Sequence, residues 1–478
     1  GLIAAVIGNG GPGSLKRSDF SKALKAVAKK GLSPYEEVGS DKPLISKEPI
    51  AGTITKTETL PALGIEHWTL SNGAHVYLKK TAFKEDEVIF RASSPGGDSV
   101  VSADKLQLVR NATGAVEAGG VGELDMVALQ KKLAGRNVSL KAFIHKYEEG
   151  LSGESSAEDL ETLLQLTYLK FAAPRKDEKA FALYKKEQLE LLKQANNDPE
   201  TRFRDTVTRT FNDGNPRTVP WDEAAVQLIE LDASYEFYED RFKDAGDFAF
   251  YFTGNVEAET LKPLVLRYLA SLPDTGRREK VAVESWPSAD KPRELEVKDG
   301  TQPRATLVFM FKKSVSAELA TPTARLAWKL VGEAMQMRFL ELFREEMGAT
   351  YGVSVRTRFD QRWTQAVMQV AFQCEPARAD ELRKAALAEV ARMTKEGVTA
   401  GHFAKAKASQ QKRNETDMLA NWYWANRISS LRNEERELGD ILTDKTRINA
   451  LQLSDLSAAQ ASFSAVENVA SAVLLPKK

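Results

Sequence analysis

Cysteine is nearly absent from this 478-residue chain: Cys374 stands alone, which excludes an internal disulfide and any thiolate metal cluster and leaves the compartment open. Histidine is scarce too. The four histidines, His67, His75, His145 and His402, include no pair at the one-turn spacing that two ligands on a zinc-binding helix need. An excess of either charge is missing: Lys plus Arg and Asp plus Glu number 67 each, so no global field recommends nucleic acid or an anionic membrane as a partner. No apolar run approaches the roughly 20 residues needed to cross a bilayer. The apolar start Gly1-Leu2-Ile3-Ala4-Ala5-Val6-Ile7 is short and lacks the basic residues and cleavage site of a signal peptide. A G-x-S-x-G nucleophile elbow is also absent. The chain begins without methionine, which reads as a processed product, an engineered start or a segment of a longer polypeptide.

What is present is the composition of a globular protein. With 42% hydrophobic and 28% charged residues the chain can bury large cores, and its length suggests about three domains. Gly8-Asn9-Gly10-Gly11-Pro12-Gly13 has the spacing of a dinucleotide-binding turn. The second buried strand that should follow is interrupted by Pro34, which cannot pair within a central sheet. Residues 1–37 are therefore expected to be the end of a preceding domain: a strand remnant, a loop and one helix around Phe20, Leu24 and Val27. Residues 38–59, with Pro43, Pro49 and little periodicity, are expected to be a linker.

Residues 60–273 should form a first domain. Asn72-Gly73 between two alternating runs is a strong hairpin signal, and His75 inside that hairpin is expected to be a strand residue rather than a metal ligand. Glu87 to Ala92 reads as a strand ending at Pro95-Gly96-Gly97. Ser155-Ser156-Ala157-Glu158 predicts a capping box before the apolar face Leu160, Leu163, Leu164, Thr167 and Phe171. Helices over Ala180 to Gln194 and Phe203 to Phe211 follow, then a buried strand from Phe248 to Asn255 and a helix from Leu261 to Leu269. After a charged linker over 274–293, residues 294–478 repeat the pattern. Strand Ala305 to Phe311 leads to a long helix, Pro322 to Met347, strands Tyr351 to Phe359 and Ala366 to Phe372, and helices Ala379 to Met393 and His402 to Arg413. His402, near a helix start, is expected on the solvated surface. The predicted class is α+β: two tandem homologous α/β layer domains, each a mostly antiparallel sheet covered by helices, after an N-terminal remnant and linker.

The stretch from Phe339 to Val355 concentrates the candidate chemistry. Ala334, Met337, Leu340 and Phe343 recur at helical spacing, and Gly348 supplies the left-handed residue that commonly ends a helix. Arg344 is thereby expected in the last helical turn and Tyr351 at the start of the next strand, both on one rim. An ordinary explanation exists for each, since Arg in a last turn offsets the helix dipole and Tyr opening a strand is a common packing residue.

Arg344, Gly348, Tyr351, Gly352 and Val353 together resemble the R…GxxYGV segment in the C-terminal half of pitrilysin/insulinase-type zinc peptidases, whose metal motif is H-x-x-E-H. The Leu-Ser-Asn-Gly hairpin, the Ser-Pro-Gly-Gly segment, the strand ending in Thr253-Gly254-Asn255, and Glu415-Thr416 with Asn421, Tyr423 and Trp424 resemble the same family in the same order. The resemblance implies that Arg344 holds a peptide backbone and that the Tyr351 hydroxyl helps stabilise the oxyanion as water attacks. The zinc motif itself is missing. Where the first domain would hold a metal-bearing helix, Gly119 to Gln130 offers Glu123 and Asp125 but no histidine pair.

Two functions remain open. The chain is either the substrate-binding, transition-state-stabilising half of a zinc peptidase, inactive alone, or a non-catalytic scaffold or peptide-binding subunit of the same fold. In the first case zinc is held by an HxxEH-bearing partner chain or N-terminal half, as in a heterodimer, and a peptide is the substrate. Retention of both Arg344 and Tyr351 favours the first, and the bacterial relatives it resembles favour the periplasm over the cytoplasm.

Overall fold

The computed structural model describes residues 17–29, 43–211, 215–283, 292–314, 321–360, 365–461 and 469–477. It separates into two units, Gly1–Lys42 and Pro43–Lys478. In the first, the expected helix forms over Arg17–Ala28, with Leu24 and Val27 exposed. The Gly8 to Gly13 turn lies outside the described residues.

The second unit contains two sheets. Strands β1 (Ile54–Leu60), β2 (Ile65–Leu70), β3 (His75–Lys80), β4 (Val88–Pro95), β5 (Val138–Ile144), β6 (Glu148–Ser155) and β7 (Ala249–Gly254) form the first, in the order β1-β2-β3-β7-β4-β6-β5. Strands β8 (Arg293–Lys298), β9 (Ala305–Ser314), β10 (Val353–Asp360), β11 (Gln365–Cys374) and β12 (Ala470–Leu475) form the second, ordered β10-β11-β9-β12-β8. The reading of 38–59 as linker fails from Ile54 onward: β1 pairs antiparallel with β2, its largely polar sequence being that of a solvated edge strand. The hairpin closes at Gly73, whose φ of +81° suits glycine.

The repeat is legible in the topology. The series β3-β7-β4-β6-β5 and β8-β12-β9-β11-β10 run in the same order, the first pair of each parallel and the other pairs antiparallel. The β9-to-β10 connection that carries Arg344 and Tyr351 thus corresponds to the β4-to-β5 connection of the first sheet. That connection holds the helices Leu106–Val109, Ala112–Glu117 and Met126–Leu133, and Gly119 to Asp125 between the last two is irregular. Asp125 is the N-cap of Met126–Leu133, Oδ1 accepting from Ala128 N at 2.8 Å. The capping interaction before Leu160 also lies one residue further along than the sequence suggested: Ser156 Oγ accepts from Asp159 N at 3.1 Å, because Asp159 is also held by Asn137 N at 2.7 Å.

Each half lends a helix to the other sheet. One face of the first sheet is packed by Leu160–Ala172, Leu231–Phe242 and Ala258–Tyr268 around Phe90, Phe248, Phe250 and Phe252. Its opposite face is covered from the C-terminal half by Asn421–Asn433, whose Trp424, Ile428 and Leu431 pack on Tyr77 and Tyr251. Conversely, Phe203, Val207 and Phe211 of helix Pro199–Phe211 cover Val308, Ala470, Ala472 and Leu474 of the second sheet. The buried Asn421 locks the exchange, its Oδ1 accepting from Thr81 at 2.5 Å and its Nδ2 donating to Glu87 at 2.9 Å.

A buried charge anchors the loop after β4. Gly97 has φ +62°, and a Cβ there would lie 2.0 Å from the His145 carbonyl oxygen, so only glycine fits. Its N–H donates to the fully buried Glu149 at 2.5 Å. Burial pushes the Glu149 carboxyl up to about 8, more than Arg241, 3.9 Å away, pulls it down. A folded-state value raised above the unfolded one contributes stability that is complete below the ordinary carboxylate range and lost as pH rises through about 8. Thermal unfolding should therefore show a stability component declining between pH 5 and pH 9 that disappears in Glu149→Gln. The variant should be the more stable protein at pH 9; an unchanged pH profile would mean that Arg241 keeps the carboxylate ionised.

Candidate functional site

Helix Pro322–Leu340 begins at Thr321, whose Oγ1 accepts from Ala324 N at 3.1 Å, with Pro322 at the first helical position. It does not run regularly to Met347 as the periodicity suggested. Glu341–Glu346 widens into a π turn, closed by Met347 N donating to Leu342 O at 3.0 Å. Ala349 N then donates to Phe343 O at 2.7 Å across Gly348, at φ +55°: the Schellman closure that glycine permits. The π turn buries Phe343 completely, 4.7 Å from the Phe372 ring and 5.4 Å from Phe339.

Arg344 is thrown outward from this turn and is exposed. Tyr351 precedes β10, which starts at Val353, and its side chain is wholly exposed at 102%. Among the described residues neither side chain makes a hydrogen bond or ion pair. Thr350 Oγ1 accepts from Gly352 N at 3.3 Å, bracing the peptide on either side of Tyr351.

The support behind Arg344 was not legible in the sequence. His402 is buried, not solvated: Nδ1 lies 3.0 Å from Thr399 Oγ1, and Nε2 lies 3.0 and 3.1 Å from the Glu341 carboxylate. Helix Ala400–Asp417 turns His402 inward because Thr399 caps it and Ala406, one turn on, is core. Arg338 joins Glu346 at the end of the π turn to Glu389, 3.0 Å from its Nε. The Glu346 hydrogen bond holds the Arg338 guanidinium above its ordinary value. Burial pushes Glu389 up, but hydrogen bonds from Arg392 and Arg338 outweigh it and hold the carboxyl below the usual range. Removing His402 leaves Glu341 without its neighbour, so His402→Ala should cost about 1–3 kcal/mol in denaturant unfolding; a loss below ~0.5 kcal/mol would show that the pair is not structural.

The hairpin also brings together residues treated separately in the sequence. His67 Nε2 is 3.0 Å from His75 Nδ1, and His67 Nδ1 is 3.2 Å from Glu58. Burial, with Arg432 adding to it, pushes His75 down to about 4. The facing ring nitrogens are consumed by their mutual hydrogen bond. Among the described residues, no group of three or more His, Cys, Asp or Glu side chains is arranged to hold a metal ion, and the donors of this chain do not fit a zinc site. Asn421 and Trp424 of the second aromatic segment are buried and join the halves, whereas Trp422 is exposed.

The described residues form a two-sheet α+β fold with an exposed Arg/Tyr pair and no metal-binding cluster among them. Known proteins share this arrangement. Residues 229–410 match the model of the peptidase M16 inactive domain. A zinc protease PQQL-like from Arabidopsis thaliana is 25% identical over 434 residues, covering 86% of this chain and 42% of the relative. The probable zinc protease PqqL of Escherichia coli (strain K12) is 27% identical over 360 residues, covering 75% and 38%. The crystal structure of the periplasmic protease PqqL from Escherichia coli superposes with a TM-score of 0.78 at 23% identity, covering 97% of this chain and 51% of that one, which shows a shared fold. Residues 229–410 are thus similar to the M16 inactive domain, and the chain spans about two fifths of the length of the curated relatives it matches. No helix among the described residues is long and apolar enough to cross a membrane.

Proposed function

We propose that this chain is the substrate-clamping half of a zinc peptidase, completed by an HxxEH-bearing partner chain or N-terminal half. One observation carries the reading: Arg344 and Tyr351 are exposed and unengaged on a π turn that His402, Glu341, Arg338 and Glu389 hold rigidly from behind. A protein that needed this pair for its own packing would have buried it. In the closed assembly the guanidinium of Arg344 binds a carbonyl of an extended peptide, and the Tyr351 hydroxyl donates a hydrogen bond to the developing oxyanion in a water-poor interface. Zinc on the other half would supply Lewis-acid activation of water.

Residues 54–273 and 293–478 serve as the two domains of this half. The periplasm is the proposed compartment, following that of the related Escherichia coli structure. The test mixes this chain with an HxxEH-bearing half and measures zinc content and hydrolysis of a quenched peptide. Hydrolysis should require both polypeptides. A mixture that binds zinc and peptide but never cleaves would leave the scaffold function in its place.

A further inference from the structure

The helix lent to the second sheet does not cover all of it. Phe203, Val207 and Phe211 lie over β8, β12 and part of β9, and the outer face of β11 and β10 continues beyond them as the floor of a groove of about 540 Å³. That volume falls within the range of small-ligand sites. The floor is apolar at Val308, Met310 and Val367, while the rim carries Arg204, Arg356, Arg358 and Lys312, the last donating to Phe211 O at 2.8 Å, with Glu200 the one acid among the described lining residues. Pairing sets these cations in rows: Arg358 opposite Val367 and Lys312, Arg356 opposite Gln369 and Met310. Glu200 is already engaged, accepting from Thr306 Oγ1 at 2.5 Å and Gln373 Nε2 at 3.1 Å. Among the described residues no hydrogen bond or ion pair occupies the exposed guanidinium groups of Arg356 and Arg358. In a chain whose charges balance overall, this is a local surplus of positive charge beside an apolar floor.

We propose that this groove is a subsite for an acidic, aliphatic stretch of peptide, lying on the outer face of β9, β11 and β10. The proposal rests on the peptide-clamping function above and adds the class of substrate. The outer edge of β10 is taken beside Tyr351, where Val355 N donates to Gln336 Oε1 at 2.6 Å and Val353 O accepts from Gln336 Nε2, so the groove receives a peptide on the sheet face and through side chains. Arg356 and Arg358 lie five and seven residues beyond Tyr351 along that strand, or about 17–24 Å of extended chain. A peptide whose scissile bond sits at Tyr351 would thus place residues five to seven positions away over the groove, with aliphatic side chains on the floor and carboxylates at the two arginines.

Binding is measured by fluorescence anisotropy with this chain alone, without a zinc-bearing half, using labelled decapeptides that alternate leucine with glutamate, glutamine or lysine. The glutamate peptide should bind at least tenfold more tightly than the glutamine peptide, the lysine peptide more weakly still, and added salt should reduce the difference. Arg356→Glu with Arg358→Glu should invert the preference, and Arg356→Gln with Arg358→Gln should abolish it, with thermal unfolding of both unchanged because the side chains are exposed. Equal affinity for the glutamate and glutamine peptides, an unchanged preference in the double variants, or displacement of the peptide by oleate as the tighter ligand would each overturn the proposal. Because no hydrolysis is read, loss of this preference is separable from any failure of Tyr351 in turnover.

Discussion

If the proposed two-part peptidase is assembled, Tyr351→Phe is expected to lower its turnover by one to three orders of magnitude, roughly 1.4–4 kcal/mol of transition-state stabilisation, with zinc content and folding stability unchanged. The magnitude follows from removing one hydrogen-bond donor aimed at charge that develops only during reaction. The selectivity follows from the structure. Tyr351 is wholly exposed and its hydroxyl has no partner among the described residues, so its loss removes nothing from the fold of this chain. Affinity for uncleaved peptide should change little, since the oxyanion does not exist in the ground state. Steady-state kinetics, a metal assay and thermal unfolding on the same preparation separate these effects. Unchanged turnover would remove Tyr351 from the reaction, and a matching fall in stability would make it a packing residue.

Phe343→Ala is expected to cost about 3–5 kcal/mol of stability, the range for emptying a fully buried aromatic position. Phe343 has no exposure, packs against Phe339 and Phe372, and offers its carbonyl to Ala349 at the end of the π turn. The cavity would lie directly beneath Arg344, so peptide capture by the assembled enzyme should fall with stability. The neighbouring Arg344→Ala, an exposed substitution, should leave stability within about 0.5 kcal/mol. Denaturant unfolding of both variants is the measurement. A loss below ~1 kcal/mol for Phe343→Ala would show that the turn is not held by packing and that its shape must come from the partner.

Most elements could be read from local pattern. The Asn72-Gly73 hairpin, the Leu160 helix, the buried strand Ala249–Gly254 and the strands Ala305–Ser314 and Gln365–Cys374 form as their periodicities suggest, because each is specified by neighbours two to four residues apart. The exceptions have particular causes. The polar strand β1 carries the pattern of a linker because an edge strand needs no buried face of its own. His402 was expected in solvent because its partner Glu341 lies 61 positions away in the chain. The regular helix expected up to Met347 hides a π turn, since one extra residue in a turn leaves the apolar spacing almost intact. The pairing of His67 with His75 needed the strand register, not just the hairpin.

By itself the sequence determined the two-sheet α+β class, the absence of a histidine pair at zinc-ligand spacing, and Arg344 and Tyr351 as the residues to examine. These follow from composition and short-range spacing, which need no tertiary contact. Only the tertiary structure decided that the two halves exchange helices, that the β9-to-β10 connection matches the β4-to-β5 connection, and that Arg344 stands on a turn clamped by His402 and Arg338. Only it brought Arg356, Arg358 and Lys312 beside the apolar residues of helix Pro199–Phe211. Those arrangements depend on pairing register and on contacts between residues about fifty to several hundred positions apart, where local spacing carries no information.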